Sequence, residues 1–130
     1  MIGGRVLDVS AVVDFATRRS MYTQTLAWAA VERGIVLAVP VNALLGAWST
    51  VGDNTWRALE TLLDLPMTVI DDIDRVAARE IGRWLAHRDA ASLAAAQVAW
   101  SAVRRGWPVI TADPTPLLTL HPDIEIERLP

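Results

Sequence analysis

The chain has 130 residues, 52% hydrophobic and 21% charged, with a net charge of −3. That length suits one domain around a single core, and the composition excludes a disordered chain. With no Cys there are no disulfides or thiolate metal sites, the two histidines (His87 and His121) are too far apart for zinc-ligand spacing, and the acidic balance gives no overall basic field for nucleic acid.

"RVLDV" reads as a first strand, and "SAVVDFATRR" as a helix with Ser10 at its N-cap. A second helix, "QTLAWAAVERG", carries Leu26, Ala29, Ala30 and Val31 as apolar positions and stops at Gly34. "IVLAVP" is continuous in its hydrophobicity, as buried parallel strands are, and "VNALLGAWSTV" follows as a helix. No residue between Arg33 and Asp53 is charged, a run near the length that crosses a bilayer, but Pro40 and Asn42 divide it into a buried strand and a buried helix. Asp53 is placed to cap "NTWRALETLLDL", which stops before Pro66. "MTVI" is a third strand. "DDIDRVAAREIGRWLAHR" is a helix with acids at its start and Arg and His at its end, as the macrodipole favours. "DAASLAAAQVAWSAVRRG" is an Ala-rich helix ended by Gly106, followed by the strands "WPVIT" and "IEIERL". Strands alternating with helices predict an α/β fold: a mainly parallel sheet of about five strands flanked by helices in three layers, in one domain over 1–130. "MIGGRVLDVS" lacks a signal-peptide pattern, which implies a cytoplasmic protein with no membrane association.

In such a sheet ligands gather at the carboxyl ends of the strands. Asp8 ends the first strand and Asp113 follows the fourth, so two acids distant in sequence share one sheet edge. Carboxylates so placed suit Mg²⁺ or Mn²⁺.

With "VLDVSAVVDF", "VPVNALLGAW" and "AAAQVAWSAVRRGWPVITADPTPL" in this order, the chain resembles the PIN-domain family of metal-dependent ribonucleases, which includes the VapC-type toxins of toxin–antitoxin pairs. The resemblance covers essentially the whole chain. It implies a site of four acids. The first falls on Asp8, with Ser10 as its hydroxyl companion; the fourth falls on Asp113, with Thr111 just before it. The second, normally a Glu in the helix after strand two, falls on Gly46. The third, an Asp about eleven residues before the Gly that precedes strand four, falls on Ala95. Two of the four acids are therefore missing. A nuclease of this kind uses metal to activate water and neutralise phosphate charge, and Mg²⁺ is held weakly by two carboxylates because it releases its own water reluctantly. Asp89 is a possible substitute for the third acid, or a cap of the Ala-rich helix.

Each residue also has a plainer role: Asp8 as a hydrogen-bonded strand end, Ser10 as a helix cap, Thr111 as a satisfied hydroxyl, Asp113 as ordinary Asp-Pro turn chemistry. Gly46 costs about 1 kcal/mol in a helix interior relative to Ala, and marks either a lost Glu or close packing by a neighbour. Trp28 and Trp48 fall on expected apolar faces. Trp84 and Trp100 are candidates for a dimer surface, and Trp56 and Trp107 for base stacking. Arg18–Arg19 and Arg104–Arg105 either guide a phosphate backbone or are solvated helix ends.

Two functions follow from the resemblance. One is a degenerate PIN domain whose nuclease activity is weak or absent and whose role has shifted to binding protein or RNA. The other is an active Mg²⁺- or Mn²⁺-dependent endoribonuclease toxin. The implied partners are a second copy of the chain, an antitoxin protein and RNA. A phosphoacceptor receiver domain, also α/β with acids at strand ends, needs a Lys near its phosphate, and all twelve basic residues here are Arg.

Overall fold

The computed structural model describes residues 3–86, 88 and 92–130. Its strands are β1 (Gly4–Leu7), β2 (Val36–Pro40), β3 (Thr68–Asp71), β4 (Val109–Thr111) and β5 (Ile126–Arg128). They form one sheet in the order β3-β2-β1-β4-β5, every neighbouring pair parallel. The helices are α1 (Val9–Thr17), α2 (Tyr22–Arg33), α3 (Val41–Thr50), α4 (Trp56–Asp64), α5 (Arg75–Leu85), α6 (Leu93–Arg105) and α7 (Thr115–Leu120).

Successive strand residues point to opposite faces, and the core divides accordingly. Val6, Ala38 and Val109 pack with α5, α6 and α7 in one cluster. Leu7, Leu37, Val39 and Ile110 pack with α1, α2 and α4 in a second. Helix α3 contributes to both, Ala43 to the first and Ala47 to the second. The result is the expected α/β/α sandwich with β1 at its centre, covered on both faces, which is why its strands read as unbroken apolar runs.

Several local expectations are corrected. Ser10 is not the cap of α1: Asp8 is, its Oδ1 accepting from Val9 N at 2.7 Å. Thr55, not Asp53, precedes α4, with no side-chain cap bond. Asp71 ends β3, so α5 begins only at Arg75, capped by Asp74, whose Oδ1 accepts from Ala77 N. The Ala-rich helix starts at Leu93 with Ser92 as its cap, which removes that role from Asp89; Asp89 itself, with His87, lies outside the described residues. The six-residue α7 was not foreseen. On α2 the buried apolar positions are Ala27 and Ala30, while Trp28 is 66% exposed. Trp100 is 6% exposed, so it is an anchor within the chain rather than on a dimer surface. Trp107 packs flat on β1, where a Cβ at Gly4 would overlap its ring, and Arg105 covers it; that leaves no free face for a base. Among the described residues no helix is long and apolar enough to cross a membrane.

Candidate functional site

The central strand pair places the site. Asp8 follows β1 directly, and its N–H donates to Ile110 O of β4 at 3.2 Å, which ties the end of β1 to the end of β4. Thr111, fully buried, is the hub between the two acids. Its Oγ1 donates to Asp8 Oδ2 at 2.7 Å and accepts from Asp113 N at 3.1 Å. Ser10, the second residue of α1, sits 3.4 Å from the same hydroxyl and accepts from Ala112 N at 2.9 Å. Asp8, Ser10, Thr111 and Asp113 are thus one connected hydrogen-bonded unit drawn from chain segments about a hundred residues apart. Asp8 and Asp113 both line a cavity of about 420 Å³.

Arg19, a candidate phosphate guide by sequence, lines the same cavity, and Val9, Asp14 and Thr50 are walls that the sequence did not indicate. Asp14 is a buried carboxylate on α1 whose Oδ2 accepts from Thr23 Oγ1 at 2.6 Å and Ser20 Oγ at 2.9 Å. These bonds clamp the turn from α1 into α2, where Arg18 adopts a left-handed backbone with φ of 53°. The available signal was an acid inside the apolar run "AVVDFA", since a buried carboxylate needs partners. Arg19 gives the cavity a cation.

Gly46 and Ala95 do not line this cavity. Gly46 faces Val9, and a Cβ built on it would stand 3.0 Å from Val9 Cγ2. Ala95 lies in the core cluster against which Val9 also packs. Val9, the residue after Asp8, therefore fills the space beside Gly46.

Burial raises the Asp8 carboxyl above its ordinary value; the bonds from Thr111 and Val9 N oppose this, and the nearby Asp113 charge adds to the rise. For an acid whose folded value is raised, the folded state binds more protons between the unfolded and folded values. Stability is then lost as pH rises through that window, upward from about 3.8, and is not regained at neutral pH. Asp8→Asn should accordingly stabilise the fold at pH 7, by the roughly 0.5–2 kcal/mol that single stabilising substitutions commonly yield. Asn caps a helix as well as Asp, and its Nδ2 can donate to Thr111 Oγ1, whose own proton then turns to Asp113 O, 3.3 Å away. Thermal melts at pH 4 and pH 7 should show the gain at pH 7 and little of it at pH 4. A lower Tm for Asp8→Asn at pH 7 would show that the charge is needed for folding.

The described residues offer a resident divalent ion a sparse set of ligands. Each Asp8 oxygen accepts one hydrogen bond, which leaves one lone-pair direction on each. Among the described residues no group of three or more His, Asp or Glu side chains is placed to hold a metal. Mg²⁺ keeps several of its own waters and is bound through one or two carboxylates plus substrate phosphates, so Asp8 and Asp113 would hold it only weakly in the absence of substrate.

By sequence the chain matches no family model and no curated protein. By structure it is similar to a chain of VapBC2 from Rickettsia felis, solved bound to a DNA fragment from their promoter, with TM-score 0.74, 12% identity, and coverage of 98% of this chain and 99% of that one. It is also similar to PAE2754 from Pyrobaculum aerophilum, with TM-score 0.64, 18% identity, and coverage of 97% and 92%. The sheet order and the helices on its two faces therefore define a PIN-like fold. Within that class the fold is VapC-like.

Proposed function

We propose that this chain is a single-domain VapC-like PIN protein with a depleted acidic site, in which metal-dependent RNA cleavage is weak or absent and the retained role is to bind a protein, as an antitoxin or a second copy of itself, or RNA. One observation carries the reading: Asp8 and Asp113 share a cavity through Thr111, while the positions aligned with the second and third acids are Gly46, which faces Val9, and Ala95, in the apolar core. A cleavage site of this kind needs concentrated negative charge to hold its ion. Here two of the four aligned positions carry no charge, the third cavity carboxylate, Asp14, is tied up by Thr23 and Ser20, and Arg19 lies on the cavity wall. The VapBC2 likeness supports an antitoxin-like partner.

The second reading, an active Mg²⁺ or Mn²⁺ endoribonuclease, draws support from the same convergence of Asp8 and Asp113. An ion held by one or two carboxylates can be completed by substrate phosphates. Calorimetric titration with Mn²⁺ and cleavage of a mixed RNA pool, each with and without EDTA, separate the two. The expected result is Mn²⁺ binding no tighter than about millimolar, a free energy near −4.1 kcal/mol, with no EDTA-sensitive cleavage. Micromolar Mn²⁺ binding with cleavage abolished by EDTA and by Asp113→Asn would establish the active enzyme instead.

A further inference from the structure

The outer face of α5 and α6 carries an arrangement that neither the fold nor the acid cavity explains. Arg75, Arg79 and Arg83 recur every four residues along α5, and all three are exposed, as is Arg104 on α6. Like charges at this spacing on one helix face destabilise the helix by a few tenths of a kcal/mol per pair. Among the described residues none of the four arginines forms an ion pair; the pairs there are Arg5–Glu127 and Arg105–Asp71. Between the helices lies a cleft of about 470 Å³ lined by Glu80, Arg83, Trp84, Trp100, Val103 and Arg104. Its floor is fixed: Trp100 Nε1 donates to Glu80 Oε2 at 2.7 Å, and the Arg104 guanidinium lies 5.0 Å over the Trp100 ring. No residue lining this cleft lines the Asp8–Asp113 cavity.

We infer that this face is a docking surface for single-stranded RNA, separate from the acid cavity. The α5 arginines are spaced by about 6 Å along the helix axis, comparable to the separation of successive phosphates on a strand, and present planar forks suited to phosphate oxygens. The cleft takes one base: the outer plane of the Arg104 guanidinium, its inner plane resting on Trp100, is a stacking partner for a nucleobase. Glu80 fits a nucleic acid despite its charge, because Oε2 is held by Trp100 and Oε1 remains to accept from a donor such as a ribose 2′-hydroxyl. This deepens the RNA-binding part of the proposed function by placing the strand on a face away from the acid cavity, and it holds whether or not that cavity cleaves.

The test is fluorescence anisotropy of a labelled mixed-sequence 12-mer RNA with the full chain in EDTA, which removes any metal-dependent cleavage from the readout. If all four arginines contact phosphates, log affinity falls against log salt with a slope of about −2.8, a roughly fifty-fold loss from 50 to 200 mM NaCl. Arg83→Gln/Arg104→Gln and, separately, Arg75→Gln/Arg79→Gln should each halve that slope and weaken binding at least about tenfold at 50 mM NaCl. The same charge change on α2 and α4, Arg33→Gln/Arg57→Gln, should leave the slope unchanged. DNA of the same sequence should bind more weakly because it lacks the 2′-hydroxyl. The inference is overturned if the wild-type chain does not bind the RNA at 50 mM NaCl, or if the control pair weakens binding as much as the test pairs. It is also overturned if poly-glutamate of equal charge displaces the strand completely, which would assign the face to an acidic protein.

Discussion

Gln97→Leu is expected to destabilise the fold by about 2–4 kcal/mol, the sum of two hydrogen-bonding groups left without partners. Gln97 is 0% exposed in the middle of α6 and is the larger of that helix's two buried polar side chains, the other being Ser101. Its Oε1 accepts from Asn42 N at 2.8 Å, one of the N–H groups that the first turn of α3 cannot satisfy internally. Its Nε2 donates to Asp71 O at 2.7 Å, at the end of edge strand β3. One amide thus joins the start of α3, the middle of α6 and the end of β3. Leu keeps the volume and removes both bonds, so the loss measured by urea denaturation reports the bonds rather than a cavity. Gln97→Glu separates the two contacts. Its carboxylate can still accept from Asn42 N but faces the carbonyl of Asp71, so it should be destabilised at pH 7 and recover on acidification as the carboxyl protonates and donates. A loss below about 1 kcal/mol for Gln97→Leu would mean that water satisfies both groups.

The same residue shows what the sequence made legible. Strand and helix order was readable because each strand is an apolar run closed by a turn or cap, and because Gly34 and Gly106 stop their helices in the left-handed conformation, with φ of 71° and 68°. Asp8 and Asp113 could be placed together because parallel strands bring their carboxyl ends to one edge. The boundaries that went astray share a cause: more than one capping residue stood near each helix start. Asp8 and Ser10, Asp53 and Thr55, and the run from Asp71 to Asp74 are all chemically competent caps, and tertiary pairing decided among them. Asp8 caps α1 because β1 must end at Leu7 to pair with β4, and Asp71 stays in β3 because it pairs with Pro40. Trp28 was misplaced because α2 is weakly amphipathic, its buried face made of Thr23, Ala27 and Ala30, so its largest side chain did not mark the buried side. Gln97 could have been singled out as the one polar residue in the run LAAAQVAW; its partners, backbone groups of distant segments, have no sequence signature.

Restoring acids at the two aligned positions should restore a metal site. Gly46→Glu/Ala95→Asp is expected to raise Mn²⁺ affinity at least tenfold, about 1.4 kcal/mol. Position 95 tolerates the change better than its burial suggests: it is the third residue of α6, where a carboxylate meets the positive end of the helix dipole. Position 46 is the harder one. A side chain there begins 3.0 Å from Val9 Cγ2, so Val9 must shift by a few tenths of an ångström before the introduced glutamate can extend. Adding Val9→Ala removes that obstacle, and the triple variant should bind Mn²⁺ more tightly than the double. Without metal both variants should melt below the wild type, since clustered carboxylates repel one another. Mn²⁺ should then raise Tm in a concentration-dependent way, because an ion that binds only the folded chain stabilises it by about 2.7 kcal/mol at a hundred times its Kd. The wild type should show little such response. Equal Mn²⁺ affinity in wild type, double and triple variants would mean that positions 46 and 95 do not face Asp8 and Asp113, and the reading of a depleted four-acid site would fall with it.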